Sequence, residues 1–287
     1  MNIIDTHIHI WDLQKAEYKW LKGDASILNQ TYSLEQLEIE RFKTNVKYGV
    51  LVQAANNFED TDWMLKVAED TDWIKGVVGW LPLDNPEKCR RSLEDIYLHN
   101  SFFKGVRHLI HNENDPEWLL QNKVIESLKI LAKYGLPFDI VGVIPKHIEV
   151  AMKVSKKVPK LKMVFDHLNQ PPIQDQLKFG AWGILMKEAA KNPQFHMKIS
   201  GLGTTSGKLN TWSKTDISDY IEFIIDHFSI NRCMVGGDWP VSLLAGNYSY
   251  TWKQYEETLN DILNKEEQQM IYLNNPNSFY NLKIINV

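Results

Sequence analysis

The sequence predicts an α/β protein of the (β/α)₈ TIM-barrel class, and three observations carry that prediction. Eight short runs rich in Ile, Val and Phe recur along the chain, amphipathic stretches of helical length separate them, and no low-complexity linker or internal repeat breaks the alternation. Strand–helix alternation argues for a parallel sheet, and eight repeats argue for a closed one. The chain has 287 residues. A barrel of this kind routinely uses about 250 residues as one unit, so residues 1–287 are read as a single domain.

Strands are expected at Ile3–Ile10, Tyr48–Ala54, Gly76–Leu81, Lys104–Ile110, Leu136–Val141, Leu161–His167, Phe195–Ser200 and Arg232–Gly237. Helices are expected at Leu34–Lys47, Thr61–Asp70, Pro86–Leu98, Asn122–Tyr134, Ile144–Lys157, Gln176–Asn192 and Asp216–Phe228. Pro86 suits a first helical turn, where its missing N–H costs nothing. Gly135, just after Tyr134, suits the position past a helix end. Thr251–Tyr280 reads as two helical pieces, the last barrel helix and an extra cap.

Composition narrows the function classes. Hydrophobic residues make up 44% and charged residues 24%, with a formal charge of −4, which is ordinary for a soluble globular chain. The basic residues are scattered, so no nucleic-acid footprint is expected. No apolar run approaches the roughly 20 residues of a membrane span, and Met1–Asp5 lacks the basic region and apolar stretch of a signal peptide. Cys89 and Cys233 form no redox or metal motif and read as reduced thiols. The expectation is a cytoplasmic protein with a small-molecule partner and no nucleic-acid or membrane partner; a homo-oligomer is compatible with it.

In such barrels the active site lies at the C-terminal ends of the strands. Strand side chains alternate in direction. In the first strand Ile4, Ile8 and Ile10 share one parity, expected to face the helices. Asp5, His7 and His9 share the other, expected to face the barrel interior, with Trp11 at the rim. Two inward histidines can hold a metal or polarise a carbonyl. Arg107 ends the fourth strand; it is one of five arginines, and its fork suits a carboxylate or a lactone oxygen, with a structural ion pair as the rival reading. His108 and His111, in the loop just after, are candidate substrate contacts. In the seventh strand Phe195, Met197 and Ile199 are expected to pack on helices, leaving His196, Lys198 and Ser200 inside; Lys198 is a candidate interior cation or salt-bridge partner. Gln53 ends the second strand and is a candidate hydrogen-bond donor to substrate. Trp11, Trp80 and Trp239 sit at strand ends, where an aromatic wall suits the apolar C–H faces of a sugar-like ring.

Asp5-Thr6-His7-Ile8-His9-Ile10-Trp11-Asp12 resembles the opening motif of the amidohydrolase superfamily. Gly105–Leu109 with Asp115–Trp118, Val164–His167 with Pro171, Lys198–Leu202, Gly236–Val241 and the closing Asn275–Tyr280 follow in the matching order. Together they resemble the lactonase branch that includes L-fuconolactonase and L-rhamnonolactonase. That resemblance spans nearly the whole chain. It implies an amidohydrolase-like barrel, His167 as a ligand or electrophilic histidine, and Asp238 as the residue that activates water, a role that an ionised carboxylate beside histidines can fill. Two departures stand out. The fifth-strand stretch Leu136-Pro137-Phe138-Asp139 carries no histidine, and the fourth offers no bridging lysine at its end, so a two-metal site is not expected. Asn169-Gln170 follows His167 where relatives often carry Gly-Lys.

The expected activity is hydrolysis of a small lactone, a sugar-acid lactone of carbohydrate metabolism. Asp238 would activate water, while His7, His9 and His167 polarise the carbonyl. They would do so directly or through one divalent, zinc-like ion held by His7, His9, His167 and Asp238; the sequence leaves open whether a metal is required. Arg107, Trp11, Gln53, His108, Lys198 and Trp239 are the candidate substrate contacts. Two alternatives stand beside this reading: a mononuclear-metal decarboxylase of the same superfamily, and a non-catalytic barrel that binds a sugar acid.

Overall fold

A computed structural model describes residues 1–175 and 178–285. Eight parallel strands form one sheet in chain order: β1 Ile3–Ile8, β2 Val46–Val52, β3 Ile74–Gly79, β4 Phe103–His108, β5 Phe138–Ile140, β6 Met163–Phe165, β7 Phe195–Ile199 and β8 Cys233–Val235. The sheet closes between its first and last strands. Thr6 Oγ1 donates to Val235 O at 2.8 Å, Asp238 N to His7 O at 2.8 Å and His9 N to Trp239 O at 2.7 Å. All eight expected strands are present. The predicted runs overshoot at their C-terminal ends, because there the chain leaves the ladder to build the mouth.

The outer layer is helical: α1 Leu34–Arg41, α2 Phe58–Glu69, α3 Pro86–Asp95, α4 Asn122–Lys133, α5 Pro145–Lys157, α6 Gly180–Ala190, a single turn α7 Leu202–Thr205, α8 Lys214–Phe228 and α9 Tyr248–Ile262. Helix α1 stops six residues short of the expected Lys47, since Val46 already pairs with Ile3 in the sheet. Side chains cap several of these helices: Asn57 and Asn85 accept from Asp60 N and Lys88 N, and Ser213 forms a capping box with Asp216, each satisfying N–H groups a helix start leaves unpaired. Gly135 follows α4 at φ +69°, the left-handed position glycine favours past a helix end. The expected helix Gln176–Asn192 is found as Gly180–Ala190; Gln176 itself lies outside the described residues. Among the described residues no helix is long and apolar enough to cross a membrane.

Past α9 the chain runs through α10 (Lys265–Gln269), a π-helical turn Met270–Asn274 and α11 (Asn275–Phe279). This expected cap closes the lower end of the barrel. Leu273, Phe279, Tyr280 and Leu282 pack with Ile4, Val50, Val52, Val78, Val164 and Met234 in one inner apolar cluster. Asn275 clamps the segment to the start of β8, its Nδ2 donating to Ile230 O at 2.7 Å and Cys233 O at 2.8 Å.

That inner cluster corrects the reading of β1. Ile4 faces inward, and Asp5 faces the helices, where Tyr248 of α9 donates to its carboxylate at 2.7 Å. The ladder to β2 shifts register between Ile3 and Ile4 and again between Asp5 and Ile8. Such an irregularity reverses the side-chain phase, so His7 and His9 face inward, as expected, although Ile4 does too.

Candidate active site

The barrel interior changes from apolar to charged on going up. Above the inner cluster, three ionisable residues point inward, Asp139 from β5, Asp166 just past the end of β6 and Lys198 from β7, all fully buried. Lys198 Nζ lies 2.6 Å from Asp139 Oδ2 and 3.0 Å from Asp166 Oδ1. Arg107 from β4 donates through Nη1 to Asp166 Oδ2 at 3.1 Å and through Nη2 to the Gln53 carbonyl. Two cations thus balance two anions, the condition under which charges persist in a dry interior. Burial alone would raise the Asp166 carboxyl. Lys198, His7 and Arg107 outweigh it and hold the group well below the usual carboxylate range. Asp139 has fewer cations near it, and burial pushes it up to about 6.

The histidines stand on this charged layer. Lys198 Nζ is 3.2 Å from His7 Nδ1, His7 Nε2 is 3.1 Å from His9 Nε2, and His9 Nδ1 is 2.7 Å from the Val52 carbonyl. A carbonyl can only accept, so Nδ1 of His9 carries its proton and Nε2 is bare. Each ring nitrogen of His7 faces a group that can only donate, Nδ1 the Lys198 ammonium and Nε2 the Arg107 Nη1 at 3.2 Å. His9 donates to Val52, and its bare Nε2 faces His7. Burial lowers His7 well below its ordinary value and His9 to about 3, with Arg107 adding to the effect at His9. Both rings are therefore neutral near pH 7.

His167 and Asp238 complete the cluster from loops that local conformation fixes. Residues His167 to Gln170 all have φ near +50°, a left-handed turn that ordinary side chains resist. Ser200 Oγ lies 2.9 Å from His167 Nδ1 and accepts from His167 N at 3.3 Å. We assign its hydroxyl proton to Nδ1, which leaves the ring proton on Nε2. Asp238 has φ +55°, held by the bond from its own N–H to His7 O. Its Oδ1 sits 3.8, 3.5 and 4.0 Å from the Nε2 atoms of His7, His9 and His167. Burial raises the Asp238 carboxyl, with His167 and Arg107 opposing, so it is a stronger base than a free aspartate. Burial likewise lowers His167, against the pull of Asp238 and Asp166. Gly201 permits this closeness: a Cβ there would lie 2.6 Å from His167 Nδ1 and 3.1 Å from Asp238 Oδ2.

Above the cluster opens a cavity of about 270 Å³. His9, Arg107, His167 and Asp238 form its floor; Trp11, Trp20, Leu109, Val141, Val143 and Val241 are its apolar walls; and His111, Gln170, Thr204 and Thr205 supply polar groups. Both threonine hydroxyls donate to Gly201 O, at 2.8 and 2.9 Å, which leaves their oxygens free to accept.

The structure gathers some of the sequence-named residues here and sends others elsewhere. His9, His167, Asp238, Arg107 and Trp11 line the cavity, and His7 lies just beneath. Gln53 is fully buried below and braces Arg107, its Nε2 donating to Arg107 O at 3.1 Å. Lys198 is equally buried, the salt-bridge partner of the two readings given to it. His108 ends β4 rather than following it and turns into a neighbouring hollow. There it pairs with Glu113 at 2.7 Å, accepts from Trp80 Nε1 at 3.1 Å and stacks on Trp118. Trp80 goes with it, and Trp239 is buried edge-on against Tyr32. Sequence reasoning missed Asp166, although strand alternation with Val164 would have placed it inward. It also missed Trp20, Thr204 and Thr205, which sit on loops with no periodic signal.

The cluster suits one metal ion. Ligands about 2.0–2.1 Å from a tetrahedral ion stand about 3.3 Å apart, and His7 Nε2, His9 Nε2 and Asp238 Oδ1 are separated by 3.1, 3.5 and 3.8 Å. A second group, His7, Asp166 and His167, also converges, but it shares His7, and Asp166 is already engaged by two cations.

Comparison with known proteins agrees with the fold. Residues 4–282 match the amidohydrolase family. The chain is 28% identical over 284 residues to the L-fucono-1,5-lactonase of Burkholderia ambifaria, covering 97% of this chain and 95% of that one. It is 24% identical over 277 residues to the L-fucono-1,5-lactonase of Burkholderia multivorans, covering 94% and 92%. A crystal structure of an amidohydrolase from Burkholderia multivorans, with bound zinc, superposes with a TM-score of 0.88 over 98% of this chain and 99% of that one, at 23% identity.

Proposed function

The chain belongs to the amidohydrolase family, and from the arrangement at its mouth we propose that it is a hydrolase that opens the ring of a neutral, hydroxylated lactone. The observation that carries this reading is Asp238. It is a buried carboxylate of raised basicity, with one oxygen within 4.0 Å of three histidine Nε2 atoms. A carboxylate so placed can take a proton from water. The Nε2–H group of His167 can donate to the lactone carbonyl oxygen as negative charge develops on it. Attack gives a tetrahedral oxyanion; its collapse breaks the ring C–O bond, and Asp238 returns the proton to the departing alkoxide.

His7, His9 and Asp238, with His167 beside them, would hold a divalent ion, which when bound would polarise the carbonyl as a Lewis acid. An ion held through Nε2 of His7 would leave the ring proton on Nδ1, which lies 3.4 Å from Asp166 Oδ1.

Substrate class follows from the lining. Among the described residues around the cavity, Arg107 is the one Lys or Arg, and Asp166 already balances it. A carboxylated substrate would find no free cation there, and an unpaired buried carboxylate is costly. Thr204 and Thr205 oxygens can accept from sugar hydroxyls, and Trp20, backed by the buried Trp11, gives a sugar ring an apolar face. The lactonase names of the relatives point the same way. We place such an enzyme in the cytoplasm, as one barrel domain.

Base uptake measured with a panel of aldonolactones, beside carbon dioxide release from a panel of aromatic acids, tests the reading. Base uptake with at least one lactone supports it. Carbon dioxide release would favour a decarboxylase, and neither response a non-catalytic binder.

A further inference from the structure

The hollow into which His108 turns has a volume of about 700 Å³, within the usual range of ligand pockets. Trp20 and Leu109 line both this hollow and the active-site cavity, so the two spaces share a wall. The lactone chemistry at the cavity floor makes no use of the hollow. Trp80 and Trp118 add aromatic surface to it, and Asn56, Glu113 and Asp84 add polar groups. We propose that this hollow is a second sugar subsite, which takes a neutral glycosyl unit carried by the lactone, so that the preferred substrate is the lactone of a disaccharide acid. The proposal rests on the lactonase reading and extends its substrate by one sugar.

The polar groups of the hollow are fixed in place, yet several lack partners. Trp80 Nε1 can only donate, and it lies 3.1 Å from His108 Nδ1. That nitrogen is therefore bare, and the His108 proton sits on Nε2, from which it is donated to Glu113 Oε1 at 2.7 Å. Asn56 Oδ1 accepts from Leu109 N at 2.9 Å, which orients the amide and leaves its Nδ2 at 3.1 Å from His108 Nε2. Two donors face each other there, so among the described residues Asn56 Nδ2 meets no acceptor. A sugar hydroxyl would supply one. Glu113 Oε2 and the exposed Asp84 carboxylate are likewise unpaired among the described residues, and both can accept from hydroxyls. The indoles are preorganised: Trp118 stacks on His108 at 4.1 Å and Trp80 meets Phe58 edge-on at 5.1 Å, so little freedom is lost on binding. Rigid aromatic faces and unpaired polar groups match the apolar C–H faces and the hydroxyls of a pyranose ring. Glu17, Asp84 and Glu113 against Lys19 make the lining acidic, which disfavours a phosphorylated or uronic unit and leaves a neutral one.

The test compares an aldonolactone that the wild type opens with the same lactone carrying a β-galactosyl, β-glucosyl or α-glucosyl unit; for D-gluconolactone these are lactobionolactone, cellobionolactone and maltobionolactone. At least one glycosylated lactone is expected to exceed its parent in kcat/KM by about 10-fold, what one aromatic stack with a hydrogen bond gives. The gain should appear chiefly in KM, because the added contacts are made in ground state and transition state alike. Trp80→Ala and Asp84→Ala should each cut that advantage at least about threefold, the lower range for one such contact, while kcat/KM for the parent lactone stays within about twofold. The proposal is overturned if the wild type prefers no glycosylated lactone to its parent, or if both variants keep the preference. It is equally overturned if Trp80→Ala loses activity on both lactones in step, since the indole would then act through the fold alone. Should Trp80→Ala not fold, Trp80→Phe takes its place, with the same outcomes deciding. If the wild type opens no lactone of either size, the lactonase reading fails, and saturation-transfer NMR with methyl β-D-galactoside, methyl β-D-glucoside and methyl α-D-glucoside decides the subsite by itself. A glycoside that binds the wild type and not Trp80→Ala supports it; no binding of any of the three overturns it.

Discussion

Lys198→Met is the sharpest test of the charged layer. The substitution keeps much of the side-chain length and removes the cation from a fully buried site. Asp166 keeps Arg107 at 3.1 Å, but Asp139 keeps only the phenol of Tyr280. Breaking a buried ion pair from one side costs about 3–5 kcal/mol, and Asp139 is the group that bears it. Its folded pKa is already raised to about 6, and loss of Lys198 raises it further. A raised carboxyl favours folding below its unfolded pKa and loses that advantage as pH rises. The loss in Lys198→Met should therefore approach the full range at pH 8 and be smaller at pH 5, where Asp139 takes up a proton. Urea denaturation at the two pH values, with free energies extrapolated to water, measures both. Adding Asp139→Asn should restore part of the stability at pH 8, because the stranded charge is gone. A Lys198→Met protein within about 1 kcal/mol of wild type at pH 8, well under the cost of a broken buried pair, would refute the reasoning. So would a double variant no more stable than the single one.

Asp60, in the first turn of α2, accepts from Tyr18 Oη at 2.7 Å and Ala54 N at 2.8 Å, and burial still raises it to about 6 from 3.8. Its contribution to stability should be present below pH 3.8 and fall as pH rises to 6, by up to about 3 kcal/mol; the stability of wild type relative to Asp60→Asn, followed by urea melts across that window, should decline accordingly. Elemental analysis should find at most one tightly held divalent ion per chain, because the two ligand groups share His7; two ions would contradict the ligand geometry. Neutral aldonolactones should give a higher kcat/KM than a pyrone dicarboxylate, since Asp166 already neutralises Arg107; the opposite order, measured in one assay series, would contradict the charge argument.

The parts of the molecule legible in the sequence are those with a local signal. Eight apolar runs gave eight strands, and alternation in β7 correctly sent Phe195 and Met197 outward and Lys198 inward. The same rule failed at Ile4 and Asp5, because it assumes an unbroken ladder and β1 shifts register twice. His108 looked like a mouth residue because it neighbours Arg107; its contacts with Glu113, Trp80 and Trp118 are tertiary and turn it away. The network beneath His7 was illegible for a related reason. Asp139 meets Lys198 across 59 residues of chain and Tyr280 across 141, and no spacing records such a meeting. Only closure of the barrel and return of the C-terminal segment beneath it bring the three together.

Asp238→Asn, assayed with a lactone that the wild type opens, tests the proposed chemistry most directly. The substitution preserves size and leaves the backbone bond from residue 238 to His7 O in place, so the fold should persist, while the proton acceptor is lost. The expected result is a kcat at least about 100-fold lower, the lower range for general-base catalysis, with lactone binding little changed because the lost interaction belongs to the transition state. A folded Asp238→Asn protein with near-normal kcat, beside an Asp5→Asn protein that has lost it, would contradict the assignment and move the base elsewhere.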